Sequence, residues 1–234
     1  MNDLVSLLWT GTLETLYMTF FSTLFAYIAG LPLGVVLVIT ARDGIRPMPA
    51  LNAVIGWIVN VGRSIPFVIL MVAIIPFTRA IVGTVVGNTA AIVPLVVAAA
   101  PFVARLVESS LKEVDRGIVE ASISMGATNF QIIWKVLLAE AIPSLIRGLS
   151  IATITILSYT AMAGAVGADG LGKLAISYGR NRWQTDILVS TVILLIVLVQ
   201  VIQTILNLIA RAVDKNSSGG EGFKLLKRLT RFGK

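Results

Sequence analysis

Long apolar runs alternate with short polar connections along almost the whole chain. Five of these runs reach the roughly 20 residues that an α-helix needs to cross a bilayer. They fall at about residues 15–41, 49–77, 80–104, 148–168 and 187–210. The first carries no charge between Glu14 and Arg42. The second is interrupted by Arg63 and has two readings: one continuous span, or an interfacial stretch over 50–62 followed by a short span after Pro66. Runs of this length are far too long for the strands of a membrane barrel. The pattern therefore predicts an all-α integral membrane protein with five transmembrane helices.

The connection at about 109–143 has its own periodicity. Val114, Ile118, Ala121 and Met125 form one stripe of a short helix, with Asp115 placed to cap its start. Gly126 follows the last periodic residue, where a left-handed helix stop favours glycine. Thr128 and Gln131 then fit a capping box, and a second helix runs through Phe130, Ile133, Trp134 and Leu137 towards Pro143. The loop reads as a compact helix–turn–helix with Glu120 and Ser124 on its exposed side. Such an element suits docking of a soluble partner, because a short stiff helix transmits force and small residues at Ala121, Gly126 and Ala127 allow close approach. The plainer reading is a pair of interfacial connecting helices.

Composition sharpens the picture. Hydrophobic residues make up 56% of 234 and charged residues 13%, too few to cover a water-facing globule of this size. No Cys and no His are present, which excludes thiol chemistry, disulfides and the usual zinc sites. The segment before the first span holds no Lys or Arg, so the basic start of a signal peptide is missing. With five spans the termini lie on opposite sides, and the side richer in Lys and Arg is cytoplasmic, which places the N-terminus outside and the C-terminus inside. Residues 1–213 form the membrane domain and 214–234 a tail. In the tail, Leu225, Leu226, Leu229 and Phe232 share one helical face, and Lys224, Lys227, Arg228 and Arg231 the other. It suits an anionic inner-leaflet surface or serves as a solvated basic tail that enforces topology. Because the tail supplies much of the net charge of +7, that charge is no evidence for nucleic-acid binding.

Glu120-Ala121-Ser122-x-x-x-Gly126-Ala127, followed by apolar residues and Pro143, resembles the "EAA" loop of ABC importer permeases. Ser122 stands where that motif has its second Ala, and Leu138-Ala139 stands where it closes on Leu-Pro. The stretches Thr15-Leu16-x-Met18-Thr19-Phe20, Arg63-Ser64-Ile65-Pro66-Phe67, Ile75-Pro76-Phe77-Thr78-Arg79, Ala99-Ala100-Pro101-Phe102 and Gly164 to Gly172 are similar to the permease subunit of methionine-type ABC importers. The resemblance covers about residues 10–213.

It implies a homodimeric permease in a bacterial inner membrane, served by two copies of an ABC ATPase subunit and an external substrate-binding lipoprotein, that imports methionine, D- and L- forms both expected. ATP and magnesium belong to the ATPase partner, and this chain is expected to hold no cofactor, no metal and no catalytic residue. Glu120, Ala121, Ser122, Gly126 and Ala127 would couple to the ATPase. In the fourth span, Thr155, Ser158, Tyr159 and Met162 are candidate pathway residues, with Met162 either a gate near the axis or an ordinary packed methionine. The rival reading is a secondary transporter or facilitator without an ATPase. Proton or sodium coupling usually places carboxylates within spans, whereas Glu14, Glu108, Glu140, Asp169 and Asp186 lie near span ends or in loops. Arg63 has three readings: an ion pair with Glu108, bonds to backbone carbonyls near Pro66, or a place at a helix break. Arg105 and Glu108, one turn apart, suggest a local pair. Gly167-x-x-x-x-Gly172-Lys173 imitates a phosphate-binding loop but has Leu174 in place of the Ser or Thr that holds Mg²⁺, so it reads as a glycine-rich turn.

Overall fold

The computed structural model describes residues 2–214; the basic tail, with the readings given for it, lies outside them. Among the described residues every element is helical. Helix α1 spans Asn2–Ile39, α2 Pro49–Ser64, α3 Phe67–Ala73, α4 Ile75–Val82 and α5 Asn88–Lys112. Then come α6 (Arg116–Ser124), α7 (Asn129–Gln131), a π-helical stretch Ile132–Leu137 and α8 (Leu138–Glu140). The chain closes with α9 (Ile142–Ala163), α10 (Leu171–Lys173), a second π-helical stretch Leu174–Arg180 and α11 (Thr185–Val213).

Four helices are long and apolar enough to cross a membrane, namely α1, α5, α9 with its short extension to Val166, and α11. The fifth candidate is a bent pair: α2 and α3 meet at 101°. The continuous second span therefore gives way to two helices, a broken span or a re-entrant loop, that part at Pro66 where the alternative reading began its short span. Ile65 is extended (φ −84°, ψ 122°), as a residue before proline tends to be, and Pro66 starts the new direction. The third run shifts most, from 80–104 to Asn88–Lys112, because Gly83 ends α4 in the left-handed region at φ 81°. The first helix begins well before residue 15. Glu14 sits inside it, with a carboxylate oxygen accepting from the Gly170 N–H at 2.8 Å, so the charge is held by the protein rather than marking the helix start. The fourth begins at Ile142 instead of 148, since Pro143 opens α9 in the first turn, where its missing N–H costs nothing.

The core is built on α1 against α5. Gly30 and Gly34 of α1 let the two backbones close: a Cβ at Gly30 would lie 2.7 Å from the Ala100 carbonyl oxygen, and one at Gly34 2.6 Å from that of Ala104. Small residues four apart serve this close packing in lipid, where burial from water supplies no force between helices. Around this contact Val103, Val107 and Leu111 of α5 pack with Ala152 and Ile156 of α9. A second cluster joins Met18, Phe67, Met71, Leu95 and Ala163. Helix α11 leans on α9, and none of its most apolar stretch is buried, while Gln200, Gln203, Asn207 and Arg211 recur at helical spacing along its second half.

Charged groups within the bundle are paired locally. Glu108 is buried and accepts from Arg105 on one side and from Lys112 at 2.7 Å on the other. Arg105 also donates to the Gly56 carbonyl (3.1 Å) and Asn60 Oδ1 (2.9 Å), which ties α5 to α2. The Glu108 option for Arg63 falls away, because two nearer cations occupy that carboxylate. Arg63 instead lies exposed in the last turn of α2, beside the break, with no ion pair among the described residues.

Candidate functional site

The 113–141 element is built by local rules. Asp115 caps α6, its Oδ1 accepting from Gly117 N–H at 2.6 Å. The helix stops at Met125; Gly126 turns left-handed at φ 80°, and Gly126 and Ala127 donate back to the Ile123 and Ser122 carbonyls at 2.9 and 3.0 Å. Thr128 and Gln131 form a complete capping box: Thr128 N–H donates to Gln131 Oε1 at 2.9 Å, and Gln131 N–H donates to Thr128 Oγ1 at 3.3 Å. A turn closed at both ends in this way is stiff.

Two buried side chains bolt the element to the bundle. Ile132 (1% exposed) and Leu137 (5%) enter the same cluster as Val107 and Leu111 of α5 and Ile156 of α9. An ion pair between Arg116 and Asp43 links α6 to the turn after α1. Between that turn and α6 lies a groove of about 390 Å³, lined by Val38, Ile45, Val119, Ile123 and Glu120 among others.

Of the five residues expected to couple, Glu120, Ala121 and Gly126 are exposed, Ala127 is half-buried, and Ser122 is buried with its hydroxyl donating to the Ile118 carbonyl at 2.8 Å. Ser122, with Val119 packed against the main cluster, thus forms the inward side of α6. The expected apolar stripe divides: Val114 packs against the main cluster, whereas Ile118 is 45% exposed, Met125 81%, and Ala121 faces out with them. Phe130 and Trp134, read from periodicity as part of the second helix's apolar face, are also exposed, their rings 6.0 Å apart. Leu137 of that expected face is buried and Ile133 packs against the core, and Ile132, five residues before Leu137 across the π-helical stretch, takes the inward place of Phe130 and Trp134. Large apolar side chains exposed in this number fit both readings of the element, a docking surface and a helix pair lying in the membrane interface.

The α9 residues are placed along one open stripe. Ile151, Thr155, Ser158, Met162 and Ala165 recur at spacings of four and three, and Met162 is 47% exposed. Thr155 and Ser158 donate to their own helix, to the Ile151 and Ile154 carbonyls at 2.9 and 3.1 Å, so neither hydroxyl needs another partner in a low-dielectric setting. Tyr159 does not share the stripe; its ring stacks on Phe67 at 4.7 Å and fastens α9 to α3. The 164–173 segment is clamped at the same end of the bundle. Leu171 N–H donates to Thr15 Oγ1 at 2.9 Å, Asp169 N–H to Asn88 Oδ1 at 2.8 Å, and Gly87 N–H to the Gly167 carbonyl at 2.9 Å. Lys173 pairs with Asp169, which holds the ammonium proton more tightly and raises the lysine pKa. With its lysine so engaged and a membrane helix before it, this segment is a structural turn and not a phosphate cradle.

Comparison with known proteins agrees with this geometry. Residues 30–218 match the model of a family described as "Binding-protein-dependent transport system inner membrane component". The "Probable D-methionine transport system permease protein MetI" of Vibrio cholerae is 53% identical over 208 residues, 89% of this chain and 92% of that protein. The "Methionine import system permease protein MetP" of Bacillus subtilis is 44% identical over 208 residues, 89% and 94% respectively. Among solved structures, a chain of the MetNI methionine ABC transporter in an inward-facing conformation superposes with a TM-score of 0.91 at 47% identity, covering 92% of this chain and all of that one.

Proposed function

This chain belongs to the family of inner membrane components of binding-protein-dependent transport systems, and we propose that within it the chain is the permease subunit of an ATP-driven methionine importer. The observation that carries this reading is α6: a capped, stiff helix bolted to the bundle on one side, with Ile118, Ala121 and Met125 open on the other. Two copies related by a two-fold axis would face their open α9 stripes toward a shared path. Each α6 would sit in a groove of one ATPase subunit, with Gly126 and Ala127 allowing close approach and Glu120 at the rim. ATP-driven closure of the ATPases would move both levers, and an external binding protein would deliver methionine, as D- or L- isomer. The chemistry of ATP and magnesium lies in the partner.

The proposed orientation has α6 in the cytoplasm. Arg42, Arg46, Lys112, Arg116 and Lys135 lie on that side, and Arg147 joins them, 3.6 Å from Asp214 at the end of α11. Arg79, Lys173, Arg180 and Arg182 lie on the other. The richer side faces inward, so the N-terminus is outside.

Affinity purification of the chain from its native membrane tests the reading. It should bring down an ATPase in a two-to-two complex, and vesicles containing both, with the binding protein supplied, should accumulate methionine only with ATP. Accumulation without ATP, or by the chain alone, would favour a facilitator instead.

A further inference from the structure

Several buried hydroxyls of α1 bond to their own helix. Thr12, Thr15 and Thr19 donate to the carbonyls of Leu8, Gly11 and Thr15, one turn back, each at 2.8 Å. Ser22, Thr23 and Thr78 have buried hydroxyls without a protein partner, but turning about one bond brings such a short side chain to the same kind of carbonyl. Tyr27 has no such recourse. Its hydroxyl oxygen is buried, no protein group bonds it, and it sits at the far end of a rigid ring, out of reach of its own backbone. A buried phenol left in that condition is costly, and buried tyrosines usually find a partner.

The neighbouring helices supply the means. Ser144 Oγ of α9 donates to Ser110 Oγ of α5 at 3.1 Å, which joins the two helices. Ser110 is 4% exposed, and its hydroxyl still has its own proton and a second lone pair. Gly148 of α9 faces both this pair and Tyr27. A Cβ at Gly148 would lie 3.6 Å from Leu106 Cβ, 3.8 Å from Tyr27 Oη and 3.9 Å from Ser110 Oγ. The two oxygens thus border one niche, which the glycine keeps open by lacking a methyl. A water in the place that a side chain would take has both oxygens as neighbours, the minimum of two polar partners that a buried water needs.

We propose that this niche binds one structural water, which bridges Tyr27 Oη and Ser110 Oγ and so joins α1 to the hydroxyl pair of α5 and α9. Ser110 directly precedes Leu111, which packs with Ile132 and Leu137 in the main cluster. The bridge therefore ties α1 to the root of the 113–141 element. A polar network of this kind inside a bundle is stiff only when every member is satisfied, and the water is the member that satisfies Tyr27. The site rests on packing alone and holds whichever solute is transported.

The test is a double-mutant cycle read by the thermal transition of the full chain in its purified complex, with the density at the niche in a structure that shows ordered water as the second measurement. Gly148→Ala meets nothing closer than 3.6 Å, an ordinary contact, and Ala is the better helix residue, so in a dry niche it raises the transition. Where the niche holds water, the methyl displaces it and strands the phenol, and the transition should fall by a few degrees. Tyr27→Phe should lower the transition of the wild type by unmaking the bridge, yet raise that of the Gly148→Ala variant by removing a stranded hydroxyl. That reversal of sign between the two backgrounds is the expected result, together with a density peak within hydrogen-bonding distance of both oxygens that Gly148→Ala abolishes. A rise for each single variant, with the two rises adding in the double variant, would show an unbridged phenol beside a dry niche and overturn the site. A direct bond between Tyr27 and Ser110 in the density, with no peak between them, would overturn it as well.

Discussion

Truncating two isoleucines fourteen residues apart separates docking from anchoring. Ile132 is 1% exposed and sits in the main cluster, so Ile132→Ala should cost about 2–5 kcal/mol where it anchors the lever. Ile118 is 45% exposed on the opposite side of the element. With roughly half of its area still in water, its truncation should cost less than about 1 kcal/mol of stability. Hydrogen exchange of the amides at 129–140 reads the first effect: the opening equilibrium should rise roughly 30-fold or more in Ile132→Ala and less than about fivefold in Ile118→Ala. Retention of the ATPase on purification reads the second, and Ile118→Ala should weaken it while Ile132→Ala keeps the contact face but lowers methionine moved per ATP hydrolysed. If Ile118→Ala retains the ATPase fully and Ile132→Ala strips it, the partner grips the other side of α6 and the assignment of faces is wrong.

Three further outcomes follow from single contacts. Glu108→Gln strands Arg105 and Lys112 beside a buried neutral group and should lower stability by about 2 kcal/mol, seen as an earlier thermal transition of the purified complex, whereas Arg63→Gln should leave the transition in place. A Cβ at Gly172 would fall 2.4 Å from the Ala161 carbonyl oxygen, so Gly172→Ala must displace the end of α9, and transport should fall more than expression does. Met162→Ala shortens the largest side chain at the C-terminal end of the α9 stripe; leakage of solute from vesicles or ATP hydrolysis uncoupled from uptake is expected, and wild-type behaviour in both assays would make Met162 an ordinary surface methionine.

What could be read from the sequence follows how local each determinant is. The caps of the lever were legible because Asp115, Gly126, Thr128 and Gln131 act on backbone groups two to four residues away. The facing of α6 was not, because a nine-residue helix with apolar residues at 118, 119, 121, 123 and 125 offers more than one stripe, and the contact with the bundle decides between them. The start of α5 was hidden in an apolar run, since a hydropathy window does not register the left-handed turns at Gly83 and Gly87. Glu14 looked like a helix boundary because its partner, the Gly170 amide, is 156 residues away.

The same contacts explain how motion at one end could reach the other. The lever is fixed through Ile132 and Leu137 to residues of α5 and α9, not to a flexible loop. From Ala141 to Met162, α9 runs about 30 Å without a proline after its first turn. At the far end it is held twice, by Tyr159 on Phe67 and by the 164–173 turn, whose amides are taken by Thr15 and Glu14 of α1. A helix anchored at both ends and backed by the close α1–α5 contact moves as a body, because packed interiors shift between discrete arrangements instead of bending continuously. The frame is interrupted where α2 and α3 meet at 101°. If the lever drives the path, the hinge therefore lies at Ile65–Pro66, where α3 rides with α9 through the Phe67–Tyr159 stack while α2 is tied to α5 through Arg105. Tyr159→Ala should uncouple the two halves: ATPase retained, ATP hydrolysed, and uptake lost. Uptake at the wild-type rate in that variant would remove the stack from the route.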